Sequence, residues 1–126
     1  MKHFDRISCT AGALKLIHEL REEFGELVFH QSGGCCDGSS PMCFQKGDFK
    51  MGSSDVGVGK IDGTEFWMSR DQFEYWQHTH LILDVVEGRG SSFSIEIPRG
   101  VRFLIRSRMY TEEEAQNLEP LFFVEE

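Results

Sequence analysis

The chain of 126 residues reads as an α+β fold with a mostly antiparallel or mixed sheet, and three observations carry that reading. An amphipathic helical segment stands near the N-terminus, several short alternating segments follow it, and a capping-box sequence opens a short acidic helix near the end. Forty per cent hydrophobic residues and eleven phenylalanines supply one core. Neither an internal repeat nor a linker interrupts the chain, so residues 1–126 are expected to form one domain.

Residues 10–24 predict a helix. Leu14, Ile17, Leu20 and Phe24 mark one stripe, Ser8 or Thr10 can cap its start, and Gly25 supplies a stop. Residues 27–31 predict a strand with Leu27 and Phe29 on one face and Val28 and His30 on the other. Two strands are expected around residues 56–61 and 64–68, joined by the hairpin signal Asp62-Gly63. Residues 71–76 fit a helical turn or a loop. Residues 77–86 give the clearest strand, with Leu81, Leu83 and Val85 alternating against His80, Ile82, Asp84 and Val86. After the turn Gly88-Arg89-Gly90, Phe93, Ile95 and Ile97 alternate with Ser92, Ser94 and Glu96, which predicts another strand. Residues 101–106 predict a further strand, and Thr111-Glu112-Glu113-Glu114 opens a short helix closed near Pro120.

A formal charge of −8 argues against a nucleic-acid partner, because phosphate binding needs concentrated cations. Arg99, Arg102, Arg106 and Arg108 are the one basic cluster. Their near-alternate spacing suits the solvent face of a strand, with an anionic ligand as the other reading. No apolar run approaches the ~20 residues of a membrane helix, and no signal-peptide core opens the chain, so a cytoplasmic protein is expected. In that compartment four cysteines point to metal binding or redox chemistry rather than to two structural disulfides. Cys9 stands apart and is expected to pack near the first helix.

The stretch from Ser32 to Cys43 concentrates the chemistry. Cys35, Cys36 and Cys43 stand among glycines, serines, a proline and one carboxylate, with almost no apolar side chains to fill a core. Such a loop can turn adjacent thiols toward one centre, where they would bind a soft or borderline metal or exchange thiol and disulfide. Small buried cysteines without chemistry are the alternative. His78-Thr79-His80 is the second constellation. On a strand the two imidazoles would share a face and form a platform for iron, zinc or copper. A solvent-facing polar pair is the alternative. Asp84 lies farther along that face, and His30 is a third imidazole close to the loop. Phe66, Trp67, Phe73, Tyr75 and Trp76 form either core or a hydrophobic wall around a ligand or partner.

Ser32-Gly33-Gly34-Cys35-Cys36-Asp37-Gly38, Phe73-Glu74-Tyr75-Trp76 and His78-Thr79-His80 resemble an uncharacterised bacterial family, domain of unknown function 779. Leu83-Asp84-Val85-Val86, Gly88-Arg89-Gly90 and Phe93-Ser94 extend the resemblance over most of the chain. That family is often encoded beside aldehyde dehydrogenases, which implies an accessory role in aldehyde or alcohol metabolism. A helix and strand running into Ser32-Gly33-Gly34-Cys35, with Gly88 to Pro98 later, also resemble the HesB-like A-type iron–sulfur carriers, which implies their α+β fold. Those carriers need a C-terminal Cys-Gly-Cys, and no cysteine follows Cys43 here. The resemblance therefore supports the fold more than cluster carriage, and Cys36, Cys43 or His78 with His80 would have to replace the missing ligands.

Three functions follow as expectations. The first is a non-enzymatic metal- or thiol-site protein assisting an aldehyde or alcohol dehydrogenase. It would hold iron or zinc through Cys35, Cys36, Cys43, His78 and His80, with an iron–sulfur cluster less favoured. The second is a small enzyme with Cys35 or Cys36 as nucleophile and an imidazole as base. The third is a binding module whose aromatic segment docks on an oxidoreductase. The aromatic content and the carrier resemblance together suggest a homodimer.

Overall fold

A computed structural model describes residues 4–31, 39–88 and 94–124. Among them are seven strands and three helices, in the order β1 (Ile7–Cys9), α1 (Ala11–Phe24), β2 (Leu27–Gln31), β3 (Met42–Gln45), β4 (Asp55–Ile61), β5 (Thr64–Ser69), α2 (Arg70–Trp76), β6 (Thr79–Glu87), β7 (Val101–Met109) and α3 (Glu112–Gln116). The strands form two mixed sheets, ordered β1-β6-β7 and β3-β2-β5-β4. β1 runs parallel to β6 and β2 parallel to β5, while the other pairs are antiparallel. The α+β class expected from the sequence is the class observed. No helix among the described residues is long and apolar enough to cross a membrane.

Local signals account for most element ends. Thr10 Oγ1 accepts from Ala13 N at 3.2 Å, and the Gly25 N–H closes α1 on Arg21 O with Gly25 at φ 86°. The buried stripe of α1 is Ala13, Leu16, Ile17 and Leu20, rotated from the expected one, so that Leu14 is only half-buried. In the β4–β5 hairpin both Asp62 (φ 49°) and Gly63 (φ 83°) take positive φ, the backbone that an Asp-Gly pair favours in a two-residue turn. Thr111 and Glu114 form the anticipated reciprocal capping box of α3, which ends at Gln116, ahead of Pro120.

Two expected elements are corrected. The strand expected from Gln77 begins at Thr79, because Thr79 Oγ1 donates to Trp76 O at 2.8 Å and closes the turn after α2. Residues 71–76, left open between turn and loop, belong to that helix, whose N-cap Ser69 accepts from Gln72 N. The strand expected over Ser92 to Ile97 is not formed where it is described. Ser94 stands outside any strand and Ile97–Arg99 is a 3-10 turn, with Pro98 unable to donate to a ladder. The inside and outside of this segment are also exchanged: Ser94 and Glu96 are buried, while Ile95 and Ile97 are only half-buried. Ser92, Phe93, Arg89 and Gly90 lie outside the described residues.

One core fills the space between the sheets. Phe29 stacks on Phe66 at 5.8 Å within its sheet and meets Phe103 of the other sheet edge-on at 4.9 Å. Ile17, Leu20, Met68, Leu83 and Ile105 pack around them. The sheets approach closely where Gly59 faces Ile7, for a Cβ there would lie 2.8 Å from Ile7 Cγ2. At the opposite seam, Ile105 N donates to Ser39 O and Ile95 N to Cys43 O.

The C-terminal segment closes the molecule. Phe4 and Leu118 form a parallel bridge, and Gly57 exchanges two backbone hydrogen bonds with Phe122 at 2.7 and 3.1 Å. The Phe122 ring occupies the space a side chain at Gly57 would need, and packs edge-on against Trp67 at 5.1 Å. A Cβ at Gly57 would lie 1.9 Å from Phe122 Cε2. Gly57→Ala is therefore expected to expel the ring, lower stability by about 1–3 kcal/mol and red-shift Trp67 emission as water reaches the indole. Denaturant melts and fluorescence matching the unaltered protein would contradict this.

Candidate functional site

β2 places the side chains that frame the cysteine stretch. Phe29 points into the core, so His30, one residue on, points to the opposite face of the sheet. There its Nε2 lies 2.8 Å from Asp55 Oδ1 at the start of β4. Asp55 is itself fixed, since its Oδ2 accepts from Gly52 N at 2.8 Å. Phe49 lies over the imidazole at 4.8 Å and stacks on Phe44 at 4.7 Å. His30 is 4 % exposed, so a buried imidazole oriented by a carboxylate stands at the point where the chain enters residues 32–38. Cys35 and Cys36 belong to that stretch and lie outside the described residues.

Cys43 takes a different position. β3 pairs it with Phe29, and its side chain turns into the core with no exposed surface. Burial first, and the Glu96 charge second, push its thiol well above the ordinary cysteine value. A metal ligand or attacking thiol must be deprotonated, and this environment opposes that. Cys43 here packs as a small apolar side chain. Neither it nor Cys9, which is partly buried on β1, forms a disulfide.

The two histidines expected to share a strand face do not share one. His78 lies in the turn before β6 and is exposed. His80 is on the strand and nearly buried, with Nε2 2.8 Å from Ser8 Oγ and Nδ1 3.0 Å from Asp5 O. Burial, followed by the nearby Arg108 charge, lowers its pKa below the usual histidine value. Asp84 shares that outer face but serves Thr10 Oγ1 at 2.8 Å and Arg106 Nε at 2.8 Å. Cys43 therefore faces the interior side of the β1-β6-β7 sheet and His80 the exterior side. Among the described residues, no group of three or more His, Cys, Asp or Glu is arranged to hold a metal ion.

The basic cluster is engaged within the chain. Arg99 reaches Glu19 and Glu23 of α1 at 3.1 and 2.9 Å, Arg106 holds Asp84, and Arg108 grips Glu114 with both Nη atoms at 2.8 and 2.9 Å. Arg102 donates to Ser40 Oγ at 2.6 Å. The aromatic segment mostly serves the interior: Phe66, Trp67 and Trp76 are buried and Phe73 packs on the core, while Tyr75 is exposed.

Sequence reasoning missed one buried polar group altogether. Glu96 has no exposed surface, accepts from Ser94 Oγ and is approached by Phe103 N at 3.4 Å. Ser94 Oγ in turn accepts from Cys43 N at 2.8 Å. Ser94 and Glu96 alternate with Ile95 and Ile97 in the sequence, and no local signal marks the polar side as the buried one. Burial raises the carboxyl pKa of Glu96 against the opposing hydrogen bonds. The folded protein thus holds this proton more tightly than the unfolded chain. Stability from this group is complete below the ordinary glutamate range and falls as pH rises through the raised folded value. In Glu96→Gln the fall is absent, so the variant's stability relative to the unaltered protein should grow with pH across that window. Chemical denaturation at a series of pH values measures this, and parallel curves would refute it.

The chain belongs to the family described as Domain of unknown function (DUF779), whose model matches residues 16–109. Neither a curated protein nor a solved structure matches the chain.

Proposed function

We propose that this member of the DUF779 family is an accessory protein whose working site is formed by the thiols of Cys35 and Cys36 together with the imidazole of His30. The observation that carries the reading is the buried His30–Asp55 pair, at 2.8 Å, directly before the cysteine stretch. A carboxylate bonded to one imidazole nitrogen fixes the orientation of the ring, as second-shell carboxylates do at metal centres. Cys35 lies five positions beyond His30, which keeps the two within about 18 Å by chain length alone.

Two thiolates and an imidazole suit zinc or iron, and binding would release protons from the thiols. Cys43, buried, and His80, committed to Ser8 and Asp5, are left out of this ligand set. The proposed client is an aldehyde or alcohol dehydrogenase, a choice that rests on the family resemblance. Elemental analysis of freshly purified and of reconstituted protein tests the metal. About one equivalent of zinc or iron is expected, lost in Cys35→Ser/Cys36→Ser, weakened about 10- to 100-fold in affinity by Asp55→Asn, and unchanged by His78→Ala. Absence of iron, zinc and copper both before and after reconstitution would end this reading.

The same pair favours one second reading, in which His30 is the base for a nucleophilic cysteine and Asp55 orients it. Alkylation separates the two. A nucleophile predicts one thiol that reacts fast near neutral pH and slows in His30→Gln, in protein free of metal. Uniform slow labelling of the thiols would count against it.

A further inference from the structure

We infer that Ser8 and His80 form a second reactive site, a serine nucleophile with its general base, on the outer face of the β1-β6-β7 sheet. Parallel pairing of β1 with β6 sets Ser8 opposite Ile82 and places it on the same face as His80, two residues along. Ser8 is exposed, whereas the imidazole beside it is nearly buried. The backbone carbonyl of Asp5 can only accept, so its contact with Nδ1 at 3.0 Å assigns the ring proton to that nitrogen. Nε2 is then the acceptor, and Ser8 Oγ stands 2.8 Å from it. A hydroxyl bonded to the basic nitrogen of an imidazole whose other nitrogen is pinned is the arrangement that activates serine for attack.

The surroundings of the ring are of mixed charge, since Arg108 is bonded to Glu114 and both act on His80. Arg108 on β7 acts on His80, and Arg6 and Arg108 both act on Tyr110, whose ring lies 6.1 Å from the imidazole. Arg6 is held against Phe73 at 5.7 Å with its Nε donating to Glu119 O at 2.9 Å. Tyr110 also lines a cleft of about 330 Å³ with His78, Met109 and Thr111. The Tyr110 hydroxyl is buried and has no hydrogen-bond partner among the described residues. The ligand class that a base-paired serine hydroxyl would attack is a small acyl ester. In the step, Ser8 Oγ bonds to the carbonyl carbon as its proton passes to His80 Nε2. The carbon–oxygen bond to the leaving group then breaks, and that proton leaves with the alcohol, giving an acyl-serine that water can hydrolyse.

A fluorophosphonate probe tests the site on the full chain, since it modifies activated serines and spares thiols. Oγ bonds to phosphorus, fluoride departs, and the proton leaves with it. Intact mass and peptide mapping should show one adduct on Ser8, absent in Ser8→Ala. His80→Gln should slow labelling by about 100-fold or more. The rate should rise with pH as His80 loses its proton, at a pH below that of an ordinary histidine, and then level off. The groups facing the ring that set this profile are Arg108, Glu114, Asp5 and Tyr110. No adduct, an adduct that survives Ser8→Ala, or a pH-independent rate would overturn the assignment. Should His80→Gln fail to fold, the surface change Ser8→Ala and the pH profile still decide. The outcome is independent of the metal and thiol tests, because none of those residues takes part.

Discussion

Phe29 is the side chain on which the placement of the chemistry depends. It stacks on Phe66 of its own sheet and meets Phe103 of the other, so it joins the two sheets through the core. Because it must point inward, the pleat sends His30 outward to Asp55 and Phe49. Register then fixes the neighbour: β3 pairs Cys43 with Phe29, and Cys43 is drawn into the interior. A one-residue slip would exchange these fates, burying His30 among phenylalanines and releasing Cys43. The hydrophobic contact thus decides which of two chemically capable side chains keeps a polar partner and which becomes core.

Charge is arranged around this core so that several arginines bond carboxylates of other elements. Arg99 ties the 3-10 turn to α1, and Arg106 and Arg108 tie β7 to Asp84 and Glu114. Asp62, at the tip of the β4–β5 hairpin, accepts from His18 and Arg21 of α1, and these bonds hold its carboxyl below the usual range. The Arg108 fork and the cap bonds of Thr111 lower Glu114 to about 2. Exposed pairs of this kind contribute little stability each. Their effect is to orient, fixing where α1, the hairpin and α3 lie on the sheets. A chain with a net charge of −8 whose main arginine cluster bonds its own residues presents no continuous basic surface there.

What could be read from the sequence was what short-range chemistry encodes. Thr10 and Gly25 bound α1, Asp62-Gly63 makes the hairpin, and Thr111 with Glu114 caps α3, each within a few residues. β1 and β3 escaped notice because Ile7–Cys9 and Met42–Gln45 are too short to show a period. The site suffered most from this limit. His30 was visible beside the cysteines, but Asp55, which orients it, arrives from another strand 25 residues away. Glu96 alternates with Ile95 and Ile97 and carries no local mark of burial, yet Ser94 and the Phe103 amide give it partners that only the folded chain supplies. His78 and His80 were separated by a single side-chain hydrogen bond, from Thr79 to Trp76, which starts β6 one residue after His78.

That separation changes how the histidines should be weighed. His30 faces outward from the β3-β2-β5-β4 sheet and His80 outward from the β1-β6-β7 sheet, with Phe29, Phe66 and Phe103 packed between. An ion bound at one imidazole cannot share ligands with the other across a core of that thickness, because two packed sheets stand about 10 Å apart and a metal–nitrogen bond spans only about 2 Å. The imidazole paired with a carboxylate beside the cysteine stretch is therefore the one suited to those thiols. The imidazole pinned by a carbonyl, with a serine at its other nitrogen, is suited to proton transfer. Equal in sequence, the two histidines are given different surroundings by what each is bonded to.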